Sequence, residues 1–204
     1  MIRGFKLFQP RKIYVLAFVL CLTGCLLPAH AQAAESSQKK EETAFKKGSA
    51  DYFYNQGNAS KNKGDIGNAI KNWTLAIGQN PELAEAYYNR GGAYARQNNF
   101  QGALADFDKT IELTKDPKMK ALAYYNKGLV FQNQNDLKQA LSSYTLAIET
   151  DSRYAPAYKN RAVVYLFEKN YDASWKDAHR SEELGLKCNP AFIRQLQQTS
   201  GRKK

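Results

Sequence analysis

Four asparagines, Asn55, Asn89, Asn126 and Asn160, recur 34, 37 and 34 residues apart. Each follows a large polar residue: Tyr54, Tyr88, Tyr125 and Lys159 respectively. An amide side chain carries two N–H donors and a carbonyl acceptor, the groups that an extended peptide main chain needs as partners. Asparagine is a mediocre helix former, so helix formation alone does not select four of them on one face. A regular row of amides can hold a main chain with little regard to its side chains. The same residues also suit a structural task, bonding the neighbouring helix and stabilising a stack. The sequence leaves both open.

Other chemistry is scarce. Past residue 33 the chain has one histidine, His179, and one cysteine, Cys188. A Cys–His nucleophile pair needs a local signature that is missing here. His179 reads as a solvated helix residue and Cys188 as a small apolar one. No second histidine or cysteine is at hand to complete a metal site, so no metal and no cofactor is expected. The sequence has no GxxxxGK[ST], no GxGxxG between a strand and a helix, and no GxSxG. Paired acids such as Asp106 and Asp108, or Glu182 and Glu183, read as helix-surface residues without a catalytic role. Gly91-Gly92 reads as a place of close helix packing. The expectation is a protein that is not an enzyme.

The elements that must carry the asparagine row repeat with it. Counting from Ala50, Ala84, Ala121 and Ala155, position 4 is Phe53, Tyr87, Tyr124 and Tyr158. Position 8 is small (Gly57, Gly91, Gly128, Ala162), and position 11 is Ser60, Tyr94, Phe131 and Tyr165. A polar break follows, then a second apolar pattern. There position 20 is small (Ala69, Ala103, Ala140, Ser174) and position 24 is Trp73, Phe107, Tyr144 and Ala178. Positions 4, 8 and 11 share one helical stripe, as do 20, 24 and 27 on the second helix. Small residues let two backbones approach, and aromatics fill the space beside them. Pro81 suits the start of the next helix. Pro117 and three extra residues, Lys118 to Lys120, predict about one added helical turn before the third copy.

This pattern resembles the tetratricopeptide repeat (TPR) family over about residues 50–186. The resemblance implies an all-α, right-handed superhelical solenoid of four helix-turn-helix repeats, at about 50–83, 84–120, 121–154 and 155–187. A capping helix over 188–198 follows, with Phe192, Ile193 and Leu196 covering the last apolar face. Residues 199–204 read as a basic tail. In that family the first helices line a concave groove, through positions 2, 5, 6, 9, 12 and 13. The implied groove residues are the four asparagines with Tyr54, Tyr88, Tyr125, Lys159, Asn58, Leu129, Val163 and Phe167. Asp51, Lys61, Glu85 and Arg96 add a polar mix in the first two repeats, and Leu122 and Leu166 an apolar one in the last two. The row resembles the asparagine ladder of the O-linked N-acetylglucosamine transferase family. The carboxylate clamp of co-chaperone TPR domains matches only at Asn58 and Asn89. Its cationic positions fall on Tyr54, Leu122 and Asn126, so no strong preference for a terminal carboxylate is expected. The implied partner is a protein or peptide. The apolar end leaves a second reading, in which the cap or another copy of the chain covers it.

Residues 1–33 read as an export signal. A basic region precedes the apolar run Ile13 to Leu27, too short for a comfortable bilayer span, and small residues follow Pro28. Two kinds of processing fit. Ala29-His30-Ala31 and Ala31-Gln32-Ala33 offer sites to an ordinary signal peptidase. Leu22-Thr23-Gly24-Cys25 resembles the lipobox of bacterial lipoproteins, which would leave an acylated Cys25 as a membrane anchor. Either way the expected place is the bacterial envelope. Residues 34–48 read as a polar linker. Without the signal the chain has 26 Lys and Arg against 19 Asp and Glu, a net of +7. These charges are interspersed, so no nucleic-acid partner is expected.

Overall fold

The computed structural model describes residues 47–202. The expected signal, its Cys25 and most of the linker lie outside that range. Among the described residues the chain forms helices and no strands: α1 (Ala50–Asn62), α2 (Ile66–Gln79), α3 (Ala84–Arg96), α4 (Phe100–Leu113), α5 (Pro117–Asn133), α6 (Leu137–Thr150), α7 (Ala155–Phe167), α8 (Tyr171–Glu183) and α9 (Pro190–Ser200). Each odd helix from α1 to α7 packs on the even helix that follows it, and α2, α4 and α6 each pack on the next odd helix. The result is an all-α helical repeat solenoid. None of the described helices is long and apolar enough to cross a membrane.

The four turns between paired helices are built alike. Gly64, Asn98, Asn135 and Lys169 sit at φ of 81°, 59°, 60° and 60°. At each, the amide bonds the carbonyl three residues back and the next amide bonds the carbonyl five back, at 2.9–3.0 Å. This is the Schellman ending, which satisfies the orphan carbonyls of the first helix. The next residue then starts the second helix: Asp65, Asn99, Asp136 and Asn170 each accept from the amide three residues on. Lysine is the costliest of the four left-handed residues, because its Cβ crowds the following carbonyl. Lys169→Gly should therefore raise the unfolding free energy by about 0.5–1 kcal/mol, the gain being trimmed by the freer unfolded chain. Urea titration checks this.

Inside each pair, the residue sizes at positions 8 and 24 are complementary. A Cβ added at Gly57 would stand 2.5 Å from the Trp73 indole nitrogen, and one at Gly128 only 2.4 Å from the Tyr144 ring. At Gly91 the neighbours are Phe107 and the Asp106 Cβ at 3.1 Å. In the fourth pair, where Ala178 replaces the aromatic, position 8 can be Ala162; both are fully buried. Trp175, one helical turn earlier, packs in one cluster with both. Gly92 is a correction: a Cβ there would meet nothing within 4 Å, so close packing does not explain it.

α5 is four residues longer than α3 because Pro117 occupies its first turn, capped by Asp116, and the helix takes in Lys118 to Lys120. The last helix begins two residues later than expected, since Asn189 is its N-cap and Pro190 its first residue. Phe192 and Leu196 bury against Leu166, Trp175 and Ala178, with Val163 and Ile193 packed around them. The Trp175 indole N–H donates to Ser200 Oγ at 3.2 Å and ties the end of the cap down.

Candidate peptide-binding groove

Three rungs join the first helices of successive repeats. Asn89 Nδ2 donates to the Tyr54 hydroxyl at 3.2 Å, Asn126 Nδ2 to the Tyr88 hydroxyl at 2.9 Å, and Asn160 Nδ2 to the Tyr125 hydroxyl at 3.1 Å. The tyrosine of one repeat thus fixes the amide of the next. Asn55 is exposed, and no repeat among the described residues precedes it to supply a tyrosine. Lys159 holds the tyrosine position where no further repeat follows within the array. Asn58 is a junction: its Oδ1 accepts from the Trp73 indole at 3.2 Å and from Asn89 Nδ2 at 3.1 Å. Its carbonyl is therefore committed inside the fold, and as a groove acceptor it must be set aside.

The rungs are half-buried. Tyr54, Tyr88 and Tyr125 each pack on the aromatic core of their own repeat, against Trp73, Phe107 and Tyr144 respectively. Burial pushes the Tyr88 and Tyr125 phenols up from the ordinary value, and the bonds from Asn126 and Asn160 offset this only in part. Burial raises Tyr144 and Tyr154 as well. A raised phenol stabilises the fold below its unfolded value, near pH ~10, and that contribution is lost as pH rises towards the folded value. The melting temperature should hold from pH 7 to 9 and fall steeply above about pH 10. Thermal unfolding followed by circular dichroism tests it.

Beside the rungs lie ionic contacts, one of them made by Asp106, which reads in the sequence as a surface acid. Arg90 grips Asp106 with two bonds of 2.8 Å, reaches Thr74 Oγ1 of the preceding repeat at 3.1 Å, and lies between the rings of Tyr87 and Tyr94. Arg161 repeats this with Asp177 at 2.6 and 2.9 Å, Thr145 at 2.9 Å, and Tyr158 and Tyr165. Asp106 is therefore buried and paired, not a surface acid. In the third repeat Lys127 takes the arginine's place and pairs with Asp108 of the second, while Ser143 stands in the buried acid's position. His179 is exposed, with its ring near that of Trp175. Cys188 is buried, its sulfur 3.8 Å from the Ala178 carbonyl.

The expected apolar run in the last two repeats is partly covered: Leu129 and Val163 are half-buried, and Leu166 is buried. Leu129 packs into the Tyr144 cluster, Val163 lies under the cap, and Leu166 is buried beneath it. For Val163 and Leu166 the physical reason is α9, whose Phe192 and Leu196 pack on them. Phe167 remains exposed, at 61%. In the first three repeats, by contrast, α1, α2, α3 and α5 line an open recess of about 250 Å³, with Ile66 and Trp73 of α2 among its walls. Tyr88, Asn89, Asn126, Lys61, Arg96 and Gly92 are among its walls. In the sequence Lys61 and Arg96 stand out only as part of a polar mix, and Gly92, beside Gly91, looks like a packing residue.

Family models of the tetratricopeptide repeat match residues 54–119 and 121–154. The chain is a tetratricopeptide-repeat protein. Among curated relatives it is similar to Hsp70-Hsp90 organizing protein 2 of Arabidopsis thaliana, 37% identical over 67 residues, which is 33% of this chain and 12% of that one. It is also 30% identical to tetratricopeptide repeat protein 36 of Homo sapiens over 86 residues, 41% of this chain and 46% of the relative. A third relative, UDP-N-acetylglucosamine--peptide N-acetylglucosaminyltransferase of Giardia intestinalis, is 39% identical over 64 residues, 31% of this chain but only 4% of that enzyme. The TPR chain thus spans less than half the length of each. Among solved structures, the MamA protein aligns with TM-score 0.63 at 22% identity, covering 74% of this chain and 82% of that one. Pseudomonas aeruginosa pilF aligns with TM-score 0.70 at 16% identity, covering 84% and 80%. These likenesses show the fold. A TPR array is in general an interaction module, and the function class these repeats support is a scaffold for protein–protein interaction.

Proposed function

We propose that this TPR protein is an exported adaptor of the bacterial envelope, and that it holds an extended segment of a partner along its first helices. The observation that carries the groove reading is the row of tyrosine-held amides. Each rung fixes an Asn Nδ2, while the Oδ1 of Asn89 and of Asn126 takes no bond among the described residues and is not a buried atom lacking a partner. An amide whose rotamer is set before binding loses little entropy when it accepts a main-chain N–H. Export rests on the three-part pattern of residues 1–33, and membrane anchoring on the lipobox-like stretch ending at Cys25. Capture of a partner from envelope extract by the mature chain, lost in Asn89→Ala/Asn126→Ala, is the test. Equal capture by the variant would refute the amide row. Intact mass of the natively produced protein distinguishes the two processing routes, since acylation adds several methylene-rich chains at Cys25.

One observation favours a second reading, a structural subunit that pairs with its own copy. Phe167 presents an aromatic ring to solvent at the end of α7. Mass measured across a concentration series separates a monomer from such an oligomer.

A further inference from the structure

Gly92 has no role in packing that the fold explains. It lies in the interior of α3, where glycine is about 1 kcal/mol worse than alanine, and a Cβ there would point into open space. The same position in the other repeats carries Asn58, Leu129 and Val163. What its missing side chain does is leave the recess between α1, α2, α3 and α5 open. That recess has two cations on its walls, Lys61 and Arg96, and no acid. Both are exposed, and among the described residues neither is ion-paired. A last-turn position suits a cation to the helix dipole by itself. The added observation is that the two share one cavity with the amides of Asn89 and Asn126.

We infer that this recess is a subsite for an acidic side chain, Asp or Glu, of the extended segment held by the amide row. The inference rests on the groove reading above. The geometry favours a side chain over a chain terminus. Lys61 and Arg96 come six and seven residues after Asn55 and Asn89, about 9–10 Å along their helices at 1.5 Å per residue. A main chain that bonds the amides would run past the cations at that sideways distance, which a carboxylate side chain and a lysine or arginine can span together. The positions where a terminal carboxylate would need cations hold Tyr54, Leu122 and Asn126. Charge complementarity then sets register: one acid in the segment aligns it against the otherwise side-chain-blind row.

The test uses random 12-residue peptides displayed at the N-terminus of a carrier protein, so that no peptide has a free C-terminus, selected on the full chain. Selected sequences should share an Asp or Glu at one fixed place. A selected peptide, synthesised with an amidated end, should bind about tenfold more weakly when that residue becomes Asn or Gln, the scale of one charge-assisted hydrogen bond. Lys61→Gln/Arg96→Gln should bind the acidic and neutral peptides alike. Gly92→Leu, which fills the recess and favours the helix, should lose the acid preference while melting no lower than wild type. Selected peptides without a shared acid, or an acid preference that survives in Lys61→Gln/Arg96→Gln, would overturn the subsite and leave the groove intact. A peptide that binds only when its acid is the free C-terminus would also overturn it. Failure to select any peptide would count against the groove reading itself, and the subsite with it.

Discussion

Asp177→Ala should lower the unfolding free energy by about 3–5 kcal/mol, more than an ordinary surface substitution by an order of magnitude. The Asp177 side chain is 5% exposed and its partner Arg161 15%. Removing the carboxylate leaves the guanidinium between two tyrosine rings with no counter-charge. It cannot neutralise itself by losing a proton, since an arginine stays charged at any pH the fold tolerates. The Thr145 hydroxyl remains as a neutral partner and compensates for little of the loss. Two comparisons make the result specific. Arg161→Met/Asp177→Leu, which removes both charges and keeps the volume, should recover most of the stability. Asp108→Ala, which breaks the Lys127 pair at an acid that is 59% exposed, should cost no more than about 1 kcal/mol. Urea titration of the three variants decides. If Asp177→Ala and Asp108→Ala cost the same, burial is not what sets the weight of these pairs.

Gly128→Ala should destabilise the wild type by roughly 1–3 kcal/mol, although alanine is the better helix former by about 1 kcal/mol. The new Cβ would lie 2.4 Å from the ring of Tyr144, which is fully buried and cannot yield easily. Its hydroxyl is also held, donating to Gln132 Oε1 at 2.7 Å. The sign should reverse in a second background. Tyr144→Ala alone should cost about 3–5 kcal/mol through the cavity it leaves. Adding Gly128→Ala to it should then stabilise by up to about 1 kcal/mol, because the ring is gone and only helix propensity is left. That pair reproduces the fourth repeat, where Ala162 and Ala178 occupy these positions. Destabilisation by Gly128→Ala in both backgrounds would mean that the glycine serves something other than the aromatic ring.

This size complementarity is the part of the fold most legible in the sequence, because it rests on residue volume at a fixed period. The turns were legible too, although Lys169 disguises a left-handed position that Gly64, Asn98 and Asn135 announce. The buried ion pairs were not. Asp106 and Asp177 look like surface acids on amphipathic helices, and nothing local distinguishes Asp106 from the exposed Asp108. The signal was non-local: Arg at position 7 occurs with Asp at position 23 in the second and fourth repeats, whereas the others carry Gln56 with Asn72 and Lys127 with Ser143. The tyrosine–asparagine rungs had a similar trace, tyrosine giving way to Lys159 where the array has no next amide to hold. Val163 and Leu166 stayed undecided between groove and cap, because helical position alone cannot say that the cap lies over them. Gly92 was misread for the opposite reason, since beside Gly91 it looks like a packing residue.

The amide row can be separated from its own scaffolding at one rung. Tyr88→Phe removes the hydroxyl that accepts from Asn126 and leaves the amide in place, whereas Asn126→Ala removes the amide. Both lose one interhelical hydrogen bond and should lose comparable stability, about 1 kcal/mol. Binding of a selected, amidated peptide should tell them apart: less than about threefold weaker for Tyr88→Phe, and about tenfold weaker for Asn126→Ala. Wild-type affinity in Asn126→Ala would contradict the account, and the asparagines would then hold the repeats together and nothing else.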